Sequence, residues 1–236
     1  MSQLVMLLTA LVLSTPVGPT EVVSYQQDGS RTAAARIKNW ISGYRKPGPA
    51  VTGSGTLTAI DGKAGMVITA AHLFEEKIGP ITVEFKDGQV SGARILAIDY
   101  KLDIAALWIY APKDIEPVPI ALHAPSIGQQ VEIWGYGPKR FRSFQAKVSN
   151  PIAQSGDIPR ALVGAQGVQD KQVTIPGDSG GPIISQGKLV AVHWGYRGSE
   201  KDPRRCVHAL SCDMLRTWLK AELSPKIWQR CLAMAN

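Results

Sequence analysis

From about Val51 onward the chain is a succession of short apolar runs separated by turn residues: "GTLTAI", "MVITAA", "ITVEF", "ARILAI", "IAALWIY", "VEIWGY", "FQAKV", "ALVGA", "PIIS", "KLVAVHW" and "CVHAL". Runs of this length are strand-sized. Asp61-Gly62 and Asp87-Gly88 are hairpin signals, because glycine readily takes the backbone conformation that tight turns need. Around ten strands with no helical pattern between them argue for an all-β chain of barrels or sandwiches. The stretch "APKDIEPVPIALHAPSIG", residues 111 to 128, carries four prolines and divides the runs into two sets. It reads as the connection between two small barrels, the first over about 45–115 and the second over about 125–211. After Ser211 the period changes, with Leu215, Trp218 and Leu219 at helical spacing and Pro225 opening a second short helical stretch, so residues 212–236 form a C-terminal helical segment.

The ends and the charges narrow the setting. "MSQLVMLLTALVLSTPVG" is apolar from Leu4 to Leu13 and then meets small residues and Pro16, the pattern of a secretory leader over residues 1–20. It has no Lys or Arg before the apolar run, and the alternative is a buried N-terminal strand or helix. A cleaved leader would make residues 21–236 a secreted or periplasmic protein without stable membrane insertion. The net charge of +7 lies entirely outside the leader and occurs as small groups such as Lys139 to Arg142 and Lys201 to Arg205. No long basic run is interleaved with aromatics, so a solvated basic surface is favoured over a nucleic-acid site. Three cysteines, Cys206, Cys212 and Cys231, allow at most one intrachain bridge. Cys206, His208 and Cys212 share strand parity, but three ligands without a fourth make a weak zinc site, and no metal or other cofactor is expected.

The chemistry concentrates in "TIPGDSGGP", residues 174 to 182. Gly177, Gly180 and Gly181 crowd Ser179 more than a surface turn needs, which suits a held, exposed hydroxyl with backbone N–H groups turned inward. A serine needs a base to take its proton, and the base works best when a buried carboxylate fixes its tautomer. His72 ends "MVITAAH", where a strand meets a small-residue turn; Asp103 stands directly before the apolar run "IAALWI". Singly each reads as a structural histidine and a turn aspartate. In the order His, Asp, Ser they form a candidate triad.

At these motifs the chain resembles the chymotrypsin-like (trypsin-fold) serine peptidases: "TAAH" at 69–72, "DIAAL" at 103–107 and "GDSGGP" at 177–182. The resemblance extends over roughly residues 45–222. It implies two six-stranded antiparallel β-barrels with the site in the cleft between them. It implies catalytic His72, Asp103 and Ser179, an oxyanion hole from the N–H groups of Gly177 and Ser179, and peptide or protein substrates. The same resemblance puts Thr174 and His193 in the specificity pocket, with Trp194 and Gly195 as further substrate-binding residues. A pocket Thr and His look like those of glutamyl endopeptidases and imply a preference for Glu or Asp before the scissile bond. The alternatives are a structural His193 directed towards Asp103, and a pocket lined by Val192 and Val207 that favours small apolar residues. Val173, where the trypsin-like group carries an aspartate, argues against cleavage after Lys or Arg.

The pattern also departs from the family. No cysteine lies beside His72 or Ser179, and no activation site supplies the usual Ile-Val start. Asp178, if buried, then needs another cation, for which Arg140 and Arg142 are candidates. A stress-protease relationship is possible in the catalytic domain, but the 14 residues after Glu222 leave no room for a peptide-binding C-terminal module. The competing class is an inactive homologue that binds peptides or a partner through the same cleft; a basic membrane or nucleic-acid module is a third reading.

Overall fold

The computed structural model describes residues 30–41, 51–137, 140–155, 158–167, 174–197 and 206–225. The leader, Lys201 to Arg205, Val173, Cys231 and most of the Pro225 stretch lie outside these residues. Among the described residues, twelve strands form two closed antiparallel barrels. The first contains β1 (Ala34–Asn39), β2 (Val51–Asp61), β3 (Ala64–Thr69), β4 (Ile81–Phe85), β5 (Val90–Asp99) and β6 (Ile104–Tyr110), in the order β1-β2-β3-β6-β5-β4. The second contains β7 (Gln130–Gly135), β8 (Arg142–Ser155), β9 (Ile158–Gly167), β10 (Pro182–Ser185), β11 (Lys188–Arg197) and β12 (Cys206–Ser211), in the order β10-β11-β12-β9-β8-β7. Helix α1 (Cys212–Glu222) follows.

The expected apolar runs all fall on strands. β1 is the addition: "AARIKN" has neither the alternation nor the β-branched content of a strand read from sequence. It is a strand because its neighbours make it one, pairing with β2 from Ala34↔Thr56 to Asn39↔Val51 and with β4 from Ala35↔Phe85 to Asn39↔Ile81. Ala35 and Ile37 turn into the barrel, and Ala34 is buried on the opposite face of the strand. Each barrel is filled by its own apolar side chains, with Leu57, Val67 and Leu107 in the first and Ile133, Ile183 and Leu189 in the second. Full burial of a side chain of this size stabilises the fold by roughly 1.5–3 kcal/mol.

The proline-rich connection runs between the barrels and bonds to both. Val118 N–H donates to Leu57 O at 2.9 Å, and Ala121 N–H donates to Leu189 O at 2.9 Å. Helix α1 buries Leu215, Trp218 and Leu219, the residues at helical spacing. Cys212 is the first residue of this helix rather than a continuation of β12, so the strand parity linking it to Cys206 and His208 ends at Ser211. Its free thiol is buried, and that burial pushes its pKa up to about 12.

Candidate active site

His72 stands in a short 3-10 turn (Ala71–Phe74) immediately beyond β3. Leu73 and Phe74 anchor that turn in the core. The wholly buried Asn39 fastens the segment between Leu73 and Gly79: its amide donates to Leu73 O at 2.8 Å and Lys77 O at 2.7 Å, and its carbonyl accepts from Gly79 N–H at 2.9 Å. The loop that carries His72 is therefore fixed at both ends.

Asp103 is presented by the reversal between β5 and β6. Asp99 Oδ1 accepts the N–H groups of Lys101 at 2.8 Å and Leu102 at 3.0 Å, which turns the chain back on itself. Asp103 then takes a left-handed backbone (φ 52°), a conformation that aspartate tolerates better than most residues. Its carboxylate is 6% exposed and grips His72 twice. Oδ1 accepts the backbone N–H at 2.7 Å, and Oδ2 lies 2.7 Å from ring Nδ1. The Nδ1–carboxylate bond is the main reason that the His72 pKa is raised above 6.5; burial works against it, and the charges of Asp103 and Glu75 add to it.

Ser179 lies in the turn before β10, where Asp178 N–H donates to Ile175 O at 3.0 Å and Gly181 N–H to Asp178 O at 2.9 Å. Gly177 (φ 99°) and Gly180 (φ 82°) occupy the left-handed region that side chains avoid. At Gly180 space also forbids a side chain, because a Cβ would run into Ser54 O, Thr69 Oγ1 and Ala70 N. This close approach puts Ser179 beside the end of β3, a few residues before His72. Ser179 thus reaches the His72 rim through its backbone, and no hydrogen bond joins its hydroxyl to His72 among the described residues. Neither Gly177 N–H nor Ser179 N–H has an acceptor among the described residues.

Ser54, in the middle of β2, belongs to none of the sequence motifs. It ties this turn to the first barrel: its N–H donates to Ser179 O at 2.7 Å and its hydroxyl donates to Gly177 O at 2.7 Å. The same hydroxyl accepts Tyr136 N–H at 2.8 Å, and its carbonyl accepts the Thr69 hydroxyl at 2.6 Å. The available signal was "GSG" inside an apolar run, since glycine within a strand marks a close backbone approach. At Gly53 a Cβ would meet the Leu73 side chain and Ser179 O.

Asp178 is almost wholly buried and turns its carboxylate towards the end of β7. Oδ1 accepts Gly137 N–H at 3.0 Å and Oδ2 accepts Ile175 N–H at 2.9 Å; a Cβ on Gly135 or Gly137 would press on the carboxylate. Of the two candidate cations, Arg142 supplies the pair, with Nη1 3.5 Å from Oδ2, while Arg140 is exposed. Burial raises the Asp178 pKa, and the two N–H groups and Arg142 pull against that rise. Arg142→Met is expected to lower stability by about 1–3 kcal/mol in urea unfolding at neutral pH, because it leaves a buried carboxylate without its cation. The loss should shrink as pH falls and Asp178 takes up a proton, starting above 3.8 because the folded-state value is raised. A stability curve identical to that of the unmutated protein would remove Arg142 from this role.

The expected pocket residues are also placed. Thr174 is 1% exposed, and its hydroxyl has no hydrogen-bond partner among the described residues. His193 is 2% exposed on β11, where its N–H donates to Gly181 O and its carbonyl accepts Gly180 N–H, both at 2.8 Å. The pairing of β11 with β12 shifts between His193 and Gly195, so Trp194 is the extra residue of a bulge. Its ring stacks on His208 with centroids 6.5 Å apart.

Two six-stranded barrels, with a histidine–carboxylate pair on one and a glycine-flanked serine reaching it from the other, define the class of chymotrypsin-like serine peptidases. The chain belongs to the trypsin-like peptidase domain family, whose model matches residues 53–192, more than half of the sequence. It is 27% identical over 157 residues to a Chlamydia trachomatis protein named "Probable periplasmic serine endoprotease DegP-like", covering 61% of this chain. It is 26% identical over 162 residues to a Synechocystis protein named "Putative serine protease HhoB", covering 62% of this chain. The matches span 28% and 35% of those two relatives. Its fold is similar to that of the M. tuberculosis Rv3671c protease in its active form, with a TM-score of 0.65 and 22% identity over 82% of each chain.

Proposed function

We propose that this chain is a serine endopeptidase with Ser179 as nucleophile, His72 as general base and Asp103 as the group that orients the base. The observation that carries the proposal is the double grip of Asp103 on His72 at the rim where Ser179 arrives. With Nδ1–H held by the carboxylate, Nε2 keeps its lone pair for the Ser179 proton. The Ser179 oxygen adds to the scissile carbonyl, its proton passes to His72 and then to the departing amine, and water releases the acyl group by the reverse sequence. The N–H groups of Gly177 and Ser179, unspent among the described residues, suit the negative oxygen that forms at the carbonyl. No step calls for a metal or an organic cofactor. Labelling with a fluorophosphonate tests the nucleophile; an unlabelled Ser179 in the folded protein would favour the peptide-binding, inactive homologue.

The specificity reading places Thr174 and His193 at the floor of the pocket for the residue before the scissile bond, with Trp194 and Gly195 along its approach. A hydroxyl and an imidazole N–H are suitable donors to a carboxylate. Both residues are buried, so a Glu side chain must displace neighbouring groups to reach them and is bound there away from water, where such donors count most. Charge-assisted bonds contribute roughly 1.5–3 kcal/mol each, or about tenfold to a hundredfold per bond. His193→Val is expected to depress cleavage after Glu by that factor while sparing cleavage after Ala, as read from a mixed peptide library. Cleavage by the unmutated protein mainly after Val, Ala or Leu would reject the acidic pocket and leave the peptidase standing.

The reading extends to residues 21–236 as one peptidase unit behind a leader of residues 1–20, acting on peptides or proteins outside the cytoplasm. The periplasmic name of the chlamydial relative supports that location. No helix among the described residues is long and apolar enough to cross a membrane.

A further inference from the structure

We infer that Ser54 is a positioning residue for the oxyanion-binding turn, its hydroxyl holding the Gly177 carbonyl so that the N–H groups of Gly177 and Ser179 stay turned towards the reacting carbonyl. This rests on the peptidase reading above. A serine hydroxyl has one proton, and here it is spent on Gly177 O at 2.7 Å while the oxygen accepts Tyr136 N–H at 2.8 Å. Both partners are backbone groups of the second barrel, whereas Ser54 belongs to the first, in β2, and is 1% exposed. The hydroxyl is therefore a fixed point from which one peptide of the turn is oriented across the barrel junction.

Within the turn that peptide has a single tether. Glycine has no Cβ to restrict it, so the Gly177 peptide can rotate more easily than those of the turn's residues that carry side chains. The Asp178 N–H at the other end of the same planar peptide is tied back to Ile175 O at 3.0 Å, a bond within the turn itself, so the Gly177 carbonyl is the atom by which the first barrel holds that peptide. Among the described residues only the Ser54 hydroxyl bonds to the Gly177 carbonyl. Rotation of this carbonyl would carry the adjoining N–H groups away from the oxyanion position, and a donor lost from that position costs about 10²–10³ in rate. Ser54 also links the turn to the base: its carbonyl accepts the Thr69 hydroxyl, and Thr69 ends the strand that leads to His72. The distance between base and oxyanion donors is thus set through one buried residue.

The test uses p-nitrophenyl acetate, a small ester whose hydrolysis depends on the serine, the base and the oxyanion donors but not on the specificity pocket. Ser54→Ala should lower the acylation rate by about tenfold to a hundredfold. The acid limb of the pH profile, which reports His72, should stay where it is. Thermal unfolding of Ser54→Ala is followed in parallel so that rates are compared on folded protein, and Ser54→Thr, which keeps the hydroxyl, should recover most of the lost rate. Acylation within twofold of the unmutated protein, a displaced acid limb, or a Ser54→Thr protein as slow as Ser54→Ala would each overturn the assignment. An unmutated protein that shows no esterase activity would instead remove the peptidase reading, and this inference with it.

Discussion

Ser179→Ala is expected to fold as the unmutated protein does and to lose about 10⁶ in turnover on a peptide substrate, because base and nucleophile act as a unit. The fold should survive because what Ser179 gives to the structure is its backbone. Its carbonyl takes Ser54 N–H, and the glycines beside it, not its side chain, permit the turn. His72→Ala should be of similar severity. The double variant should be no worse than either single one, since each already removes the proton transfer. Cleavage of labelled casein alongside thermal unfolding would check both statements. A Ser179→Ala protein that kept more than about a hundredth of the activity would place the nucleophile elsewhere, since losing a working triad member costs far more than that.

The parts of this site that could be read from the sequence are those whose chemistry is carried by a side chain in a fixed local context. His72 at a strand end, Asp103 before a strand and Ser179 among glycines each announce a local geometry, and the turn dipeptides announce the hairpins. The paired charge on Asp178 could be anticipated as a need, because a buried carboxylate requires a cation. Choosing Arg142 over Arg140 required the structure, since the two differ by which one faces the β7 end of the barrel. β1 was not legible because its strand character comes from its partners on both edges rather than from "AARIKN" itself. Ser54 was hidden for a related reason. A serine between two glycines in a strand looks like a weak strand residue until the turn before β10, over a hundred residues later, is laid across it. Cys212 carried two readings, strand parity with Cys206 and His208 and the helical period that opens after Ser211, and the structure keeps the second.

Asp103→Asn should cost about 10⁴ in turnover, less than loss of Ser179 because the carboxylate orients the base without itself reacting. Asparagine tolerates the left-handed backbone at this position as aspartate does, so the turn should persist. Its carbonyl can still accept His72 N–H, but its NH₂ replaces the oxygen facing Nδ1. That donor is satisfied only if Nδ1 becomes an acceptor, which places the ring proton on Nε2 and removes the lone pair that takes the Ser179 proton. The pH profile should change with the rate. In the unmutated protein His72 must be neutral to act, and the Asp103 bond raises its pKa, so activity should fall as pH drops through a value above 6.5. Without that bond, burial is left to pull the histidine down, and the acid limb should move to lower pH. Stability moves in the complementary sense. A raised folded-state value means that the pair stabilises the fold fully below pH 6.5 and that this contribution is lost as pH rises through the folded-state value. The stability gap between the unmutated protein and Asp103→Asn should therefore be wider at acid pH than in mild alkali, while the gap in activity remains large in both. An Asp103→Asn protein within tenfold of full activity and with an unmoved acid limb would mean that the carboxylate holds the turn and does not govern the base.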